Sequence, residues 1–205
     1  MAELADAPDL GSGIARCAGS SPVIRIFILS KRGIMMDFLE LAKERYSVRK
    51  FKKDPVTDEQ IEQILKAGHL APTACNNQPQ KIIVVKSEEG LEKLRKCTEC
   101  HFNAPLVFIV GYDKTRSWKR SYDGQDSGYV DASIVTTHMM LEAANIGLGS
   151  TWVMYFIPEA IKVEFGLDET FEPVAVLPVG IPAEDAKPAK MHETFRDEGE
   201  IVKIL

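Results

Sequence analysis

A chain of 205 residues with 45% hydrophobic and 27% charged residues can bury the core of one domain, at most two, and has the composition of an ordinary soluble globular protein. Its formal charge of −5, with no lysine- or arginine-rich block, argues against a nucleic-acid-binding surface, and no apolar run approaches the ~20 residues of a membrane span. The four cysteines, Cys17, Cys75, Cys97 and Cys100, are too few and too unevenly spaced for a disulfide-stapled secreted domain, so a reducing, cytoplasmic setting is expected.

Residues 1–34 read differently from the rest of the chain. Met1 to Ser21 is rich in Ala, Gly, Ser and Asp without periodicity, and the apolar run Val23 to Leu29 is broken by Arg25. A secretory signal places basic residues first and a small-residue cleavage site last; here acidic residues lead and Lys31-Arg32 close the run. The folded part is therefore expected to begin near Met35 or Met36, with residues 1–34 a leader that is disordered or an artefact of start-site choice, and 35–205 the domain.

Asp37 to Glu44 carries Phe38, Leu39, Leu41 and Ala42 on a short helical face. Arg45-Tyr46-Ser47-Val48-Arg49 comes next, and in extended backbone its two arginines and serine point the same way. Guanidinium groups so arranged suit phosphate oxygens, although the stretch taken alone favours solvated surface charge. Thr57-Asp58-Glu59-Gln60 is a capping box, with Val56 and Ile61 placed for a hydrophobic staple, and the helix it opens runs to about Leu70 before Pro72. Ala71 to Gln80 sets three carboxamides and a hydroxyl between two prolines, a loop able to present donors and acceptors at fixed positions, or simply to turn the chain.

A strand is predicted over Lys81 to Lys86, a helix over Glu88 to Cys97 and a fully buried strand over Ala104 to Tyr112. The polar stretch Asp113 to Gly128, holding Trp118, Lys119, Arg120 and Tyr122, is long enough to be a lid or disordered. Tyr129 to Ile146 predicts a long helix apolar on most of its circumference, hence central or at a subunit interface, stopped by Gly147 and Gly149. Ser150 to Phe156 reads as a short extended piece. Pro158 opens a further helix that Gly166-Leu167 ends in a Schellman-like way, and Val174 to Val179 is the last strand. The tail from Ala183 is polar and ends in Ile201, Val202, Ile204 and Leu205. Helices and strands alternate loosely, which predicts an α+β fold around one sheet.

Several motifs are set aside. Cys97-Thr98-Glu99-Cys100-His101 has the spacing for covalent haem attachment, but no export signal accompanies it and no second axial ligand is specified. No second Cys or His pair stands at zinc-finger spacing, and a redox dithiol is a minor alternative. Gly147-Leu148-Gly149 follows a helix where a dinucleotide fingerprint follows a strand. His138, inside the apolar helix, reads as a core or interface residue. Neither G-x-S-x-G nor H-E-x-x-H occurs, so nothing supports hydrolysis.

In order and spacing, R-Y-S-V-R at 45–49, A-P-T-A-C-N-N-Q-P at 71–79, D-A-S-I-V-T-T-H-M-M-L-E-A at 131–143 and G-L-G-S-T-W at 147–152 resemble the nitroreductase family of flavin enzymes, from about Met36 onward. The resemblance implies an α+β fold with a mostly antiparallel central sheet flanked by helices, and a homodimer with the long helix at its interface. Two FMN sites would then be built from both chains. Arg45 and Ser47 would hold the FMN phosphate and ribityl end, with Tyr46 between them also in the cofactor site. Arg49 would lie near the pyrimidine edge, where a cation stabilises the negative charge of reduced flavin. Pro72, Thr73, Ala74, Asn76 and Gln78 would line the site, partly from the second subunit, and Trp152, Val153, Met154 and Tyr155 would run beside the isoalloxazine. Of the tail's Lys187, Lys190 and Arg196, Arg196 is favoured for the phosphate. Met154 and Tyr155 are bulkier than the small residues common there. Trp118 and Tyr122 would cover the pocket.

The implied chemistry is a ping-pong exchange in which NADH or NADPH reduces FMN and a small organic acceptor, nitroaromatic or quinone, is then reduced. It needs no protein acid, base or nucleophile, no metal, no nucleic acid and no membrane. The alternatives are a flavin relative that performs dehalogenation or flavin breakdown, a non-enzymatic flavin carrier, and a haem electron carrier using Cys97 and Cys100.

Overall fold

Among the described residues, four strands form one antiparallel sheet in the order β1-β2-β4-β3. The computed structural model describes residues 37–205, so the expected leader at 1–34 and the expected start at Met35 or Met36 lie outside the described residues. In chain order the helices are α1 (Phe38–Glu44), α2 (Asp58–His69), α3 (Glu88–Cys97), α4 (Gly128–Asn145), α5 (Pro158–Phe165) and α6 (Glu198–Ile201). The strands are β1 (Gln80–Val85), β2 (Leu106–Asp113), β3 (Gly149–Ser150) and β4 (Phe171–Gly180).

The central strands are buried on both faces, and their side chains divide by the period of two that a strand imposes. Phe108 and Val110 of β2 with Leu177 of β4 pack against Ile61 and Ile64 of α2 and Val135 and Met139 of α4. Val107 and Ile109 of β2 with Val176 of β4 face the other way, onto Leu94 of α3 and Ile161 of α5. The result is three layers, with the sheet between α2–α4 and α3–α5. Register is fixed by pairs such as Ile82 with Val110 and Phe108 with Leu177. A one-residue slip would exchange the two apolar sets and is strongly disfavoured.

Local chemistry sets the element ends. The capping box of α2 forms as the sequence predicts: Thr57 Oγ1 accepts the Gln60 N–H at 3.2 Å while Gln60 Oε1 accepts the Thr57 N–H at 3.1 Å. Val56 and Ile61, the staple pair, sit in the same apolar cluster. Gly166 ends α5 at φ 62°, and Leu167 N–H donates to the Lys162 carbonyl at 2.9 Å, the long-range bond of a Schellman motif. The start of α4 lies so close to β2 that a Cβ at Gly128 would stand 2.1 Å from the Tyr112 ring.

Two expectations change. β4 begins at Phe171, three residues before the predicted start, because its ladder with β2 resumes beyond a bulge between Val110 and Gly111 and runs on to Asp113 opposite Phe171. The stretch 113–128 is a small hairpin closed on itself: Lys119 bridges Asp126, Arg120 N–H donates to Gln125 O at 2.9 Å and Ser127 N–H to Trp118 O at 2.9 Å. Length alone could not show these backbone pairings, which exclude disorder from the two expected alternatives.

Candidate functional site

The Arg45–Arg49 stretch is extended and docked beside the end of α4. Ser47 forms a parallel bridge with Ser150, and Val48 N–H donates to Ser150 O at 3.0 Å. Val48 is buried and packs so tightly that a Cβ on Gly149 would meet its methyl at 2.6 Å, which is why glycine stands there. A cleft of about 180 Å³ opens here, lined by Arg45, Tyr46 and Val48 on one side and by Ala144, Leu148 and Ser150 on the other. Arg45, Tyr46 and Ser47 are half-buried, whereas Arg49 is exposed and turns its Nη1 back to the Ser47 carbonyl at 3.2 Å. The alternating set expected from sequence is thus divided: Arg45 enters the cleft, and Ser47 and Arg49 lie outside its lining.

The tail runs back along this stretch. Ala183 N–H donates to Lys50 O at 3.0 Å, Tyr46 Oη to Ala186 O at 3.4 Å, and His192 Nε2 lies 3.1 Å from Lys43 O. The Tyr46 and His192 rings meet edge to face at 6.3 Å. Arg196 is exposed and pairs with Glu200 through Nε and Nη2 at 3.1 and 3.0 Å. That pair is solvent-screened and readily exchanged for a stronger anion.

The proline-flanked loop lies at the opposite end of α4. Thr73 and Ala74 are half-buried; Pro72, Asn76 and Gln78 are exposed. Cys75, Asn76 and Gln78 take φ of 51°, 54° and 49°, a left-handed conformation uncommon for residues with a Cβ and concentrated at functional sites. Thr73 Oγ1 accepts the Gln78 N–H at 3.1 Å, and Gln78 Nε2 donates to Asn76 Oδ1 at 3.1 Å. The loop is fastened to α4 by Asp131, which accepts the Ala74 N–H at 2.9 Å, and to the 113–128 hairpin through Asn77 Nδ2 and Arg116 O at 3.2 Å. Sequence reasoning does not single out Asp131, although it opens the 131–143 motif; the signal that could have done so is a single acid inside an otherwise apolar helix turn.

Between these ends runs the 150–155 segment. Val153 is buried, and its N–H and carbonyl both pair with Val176 at 2.9 and 3.0 Å, so its role is to hold the segment on β4. Met154 and Tyr155 are exposed, and Tyr129 Oη approaches Met154 Sδ at 3.8 Å. Trp152 Nε1 is a buried donor with no hydrogen-bond partner among the described residues. Trp118 stands at the edge of exposure and Tyr122 is almost wholly exposed at the hairpin tip.

Cys97 and Cys100 are free. Burial first, then the charge of Glu164, pushes the Cys97 thiol above its ordinary range, which disfavours the thiolate a reactive dithiol requires. Burial and then Arg95 lower the His101 pKa, consistent with its Nδ1 accepting the Asn103 N–H at 3.0 Å. Among the described residues no group of three or more His, Cys, Asp or Glu could hold a metal ion, and no helix is long and apolar enough to cross a membrane.

Arg45 and the Pro72–Gln78 loop thus flank opposite ends of α4, separated by roughly 20 Å from Asp131 to Ala144 at the usual helical rise. Comparison with known proteins gives the arrangement a family. The Nitroreductase family model matches residues 42–104 and 96–181. A crystal structure of a nitroreductase family protein from Clostridium difficile 630 superposes with a TM-score of 0.78 at 41% identity, covering 82% of this chain and 98% of that one. An FMN-dependent nitroreductase from Clostridium difficile R20291 superposes with a TM-score of 0.65 at 26% identity, covering 78% and 98%. A protein of Methanothermobacter thermautotrophicus provisionally named NADH dehydrogenase/NAD(P)H nitroreductase is 34% identical over 160 residues, 73% of this chain and 80% of its own length. With the fold, the order of its elements and these matches in agreement, the chain belongs to the nitroreductase family.

Proposed function

We propose that the protein is an FMN-dependent oxidoreductase that takes electrons from NADH or NADPH and passes them to a small organic acceptor of nitroaromatic or quinone type, working as a homodimer in the cytoplasm. The observation that carries this reading is the placement of the two binding elements at opposite ends of α4. A single chain separates Arg45 from the Pro72–Gln78 loop, whereas two antiparallel α4 helices bring the loop of one copy to the cleft of the other, twice per dimer. The helix offers a surface for this: Asp131, Val135 and Met139 face inward and are buried, while Val130, Ile134, Thr137 and Leu141 form a stripe at helical spacing that the single chain leaves partly open.

The residues present fit FMN. Arg45 supplies a cation in the cleft, and Tyr46, which also lines it, carries a hydroxyl now turned to the Ala186 carbonyl. Arg49 and Arg196 are exposed and held only by a carbonyl and a solvent-screened carboxylate. The partnerless Trp152 Nε1 supplies a buried donor on the segment expected beside the flavin ring. FMN, when bound, supplies the redox chemistry. The protein's residues hold its phosphate, place its ring against 152–155, and limit water access through Met154, Tyr155 and the 113–128 hairpin.

The test is the visible spectrum of the purified protein followed by anaerobic mixing with each nucleotide. A dissociable yellow cofactor that bleaches with NADH or NADPH and recovers with a quinone or nitroaromatic is expected. A flavin that neither nucleotide bleaches would defeat the reductase reading and leave a carrier.

A further inference from the structure

The geometry points to Asp131 as the positioning residue that holds the Pro72–Gln78 loop in its cofactor-binding conformation, a role resting on the FMN reading above. Asp131 is 2% exposed, and both of its carboxylate oxygens are in use. Oδ1 accepts the Ala74 N–H at 2.9 Å, and Oδ2 accepts the Ser127 hydroxyl at 2.8 Å. Helix capping does not explain it: the N-cap of α4 is Ser127, which makes no side-chain cap bond, and Asp131 stands a full turn inside the helix. No cation pairs with it among the described residues, so it remains in the core on hydrogen bonds and the favourable end of the helix dipole.

What those bonds maintain is a disfavoured backbone. Three residues with side chains sit in the left-handed region within four positions, at Cys75, Asn76 and Gln78, and a loop left to itself would relax from it. Three side chains restrain it: Thr73, closing the loop on Gln78 at the surface, Asn77, tying it to the Arg116 carbonyl, and Asp131, the buried one, fixing its first turn to α4. Through Ser127 the same carboxylate also fastens the base of the 113–128 hairpin. The amides that would face the cofactor are therefore pre-set by a buried residue of α4.

The experiment compares the wild type with Asp131→Ala, Asp131→Asn and Asp131→Glu in the full chain, by FMN titration of apoprotein and by amide hydrogen exchange without FMN. Asn keeps an acceptor for Ala74 and can donate to the Ser127 oxygen, so it should bind FMN within about threefold of wild type. Ala should bind about tenfold to a hundredfold more weakly, the range set by loss of a hydrogen bond to a charged acceptor. Glu, with the charge kept but the reach changed, should also lose affinity and stands in for Ala if that variant does not fold. In apoprotein the peptide containing Ala74 should exchange faster in Ala or Glu, while β2 and β4 exchange as before. Wild-type affinity and loop exchange in both would overturn the inference. So would an Asn variant as weak as they are, or faster exchange throughout the protein, which marks a merely structural role. If the wild type itself does not bind FMN, the cofactor reading fails, and loop exchange alone decides whether Asp131 holds the loop.

Discussion

Arg45 and Arg49 stand four residues apart and are treated differently by the fold. Arg45 is half-buried in the cleft, and Arg49 is exposed with one bond to a carbonyl. On the proposed function, Arg45→Ala should weaken FMN binding about tenfold to a hundredfold with little change in reduction potential, as loss of a charge-assisted bond to phosphate predicts. Arg49→Ala should in addition lower the potential of the bound cofactor, because a cation near the ring favours its more negative form. Potentiometric titration beside a binding isotherm separates the two, and identical purely affinity-based effects would show the roles are wrongly divided. Asp113 gives a prediction independent of the cofactor. The Thr115 hydroxyl above all, then the Thr115 N–H and Lys81, hold its carboxyl below the ordinary range. Since the folded value is the lower one, its stabilising contribution is complete above about pH 4 and is lost as pH falls through the folded value. Asp113→Asn should flatten the acid limb of stability against pH in urea unfolding, and an unchanged limb would show that other carboxylates set it.

Among the elements, α2 and β2 owe their stability to different physics. The capping box of α2 is local and solvent-exposed, so Thr57→Ala should cost about 1 kcal/mol and Thr57→Ser little. Phe108 is fully buried on β2 between the two middle strand pairings, so Phe108→Ala should cost roughly 3–5 kcal/mol through lost transfer energy and the cavity left behind. Chemical denaturation of both variants measures the contrast, and comparable losses would mean that the site at Phe108 collapses to fill its own cavity. Both elements are legible in the sequence, because a capping box and the unbroken apolar run from Leu106 to Val110 each carry their signal within a few positions. The 113–128 hairpin is not. Its closure depends on backbone pairs between Trp118–Arg120 and Gln125–Ser127, which leave no mark in composition.

At the scale of the whole molecule, the functional unit is set by what α4 separates. On the proposed function, a chain whose cleft and loop lie at opposite helix ends needs a second copy to complete its site, so the dimer and the cofactor should be lost together. Val130 is half exposed in the single chain, and Val130→Glu combined with Thr137→Glu should leave secondary structure intact while giving a monomer that no longer retains FMN. Light scattering with a flavin-to-protein ratio tests this, and a dimer that keeps its flavin would place the interface elsewhere.

By itself the sequence determined the α+β class, the places of most helices and strands, and the family resemblance, because periodicity, caps and short motifs are encoded by near neighbours. It also marked Arg45 and the Pro72–Gln78 loop as candidate binding elements. Only the tertiary structure decided that these lie at opposite ends of α4, that Arg45 rather than Ser47 or Arg49 lines the cleft, that Val153 is committed to β4, and that Asp131 fastens the loop. The bond from Asp131 to Ala74 joins residues 57 positions apart, and no local pattern can specify a contact that exists only once the sheet has brought α4 and the loop together.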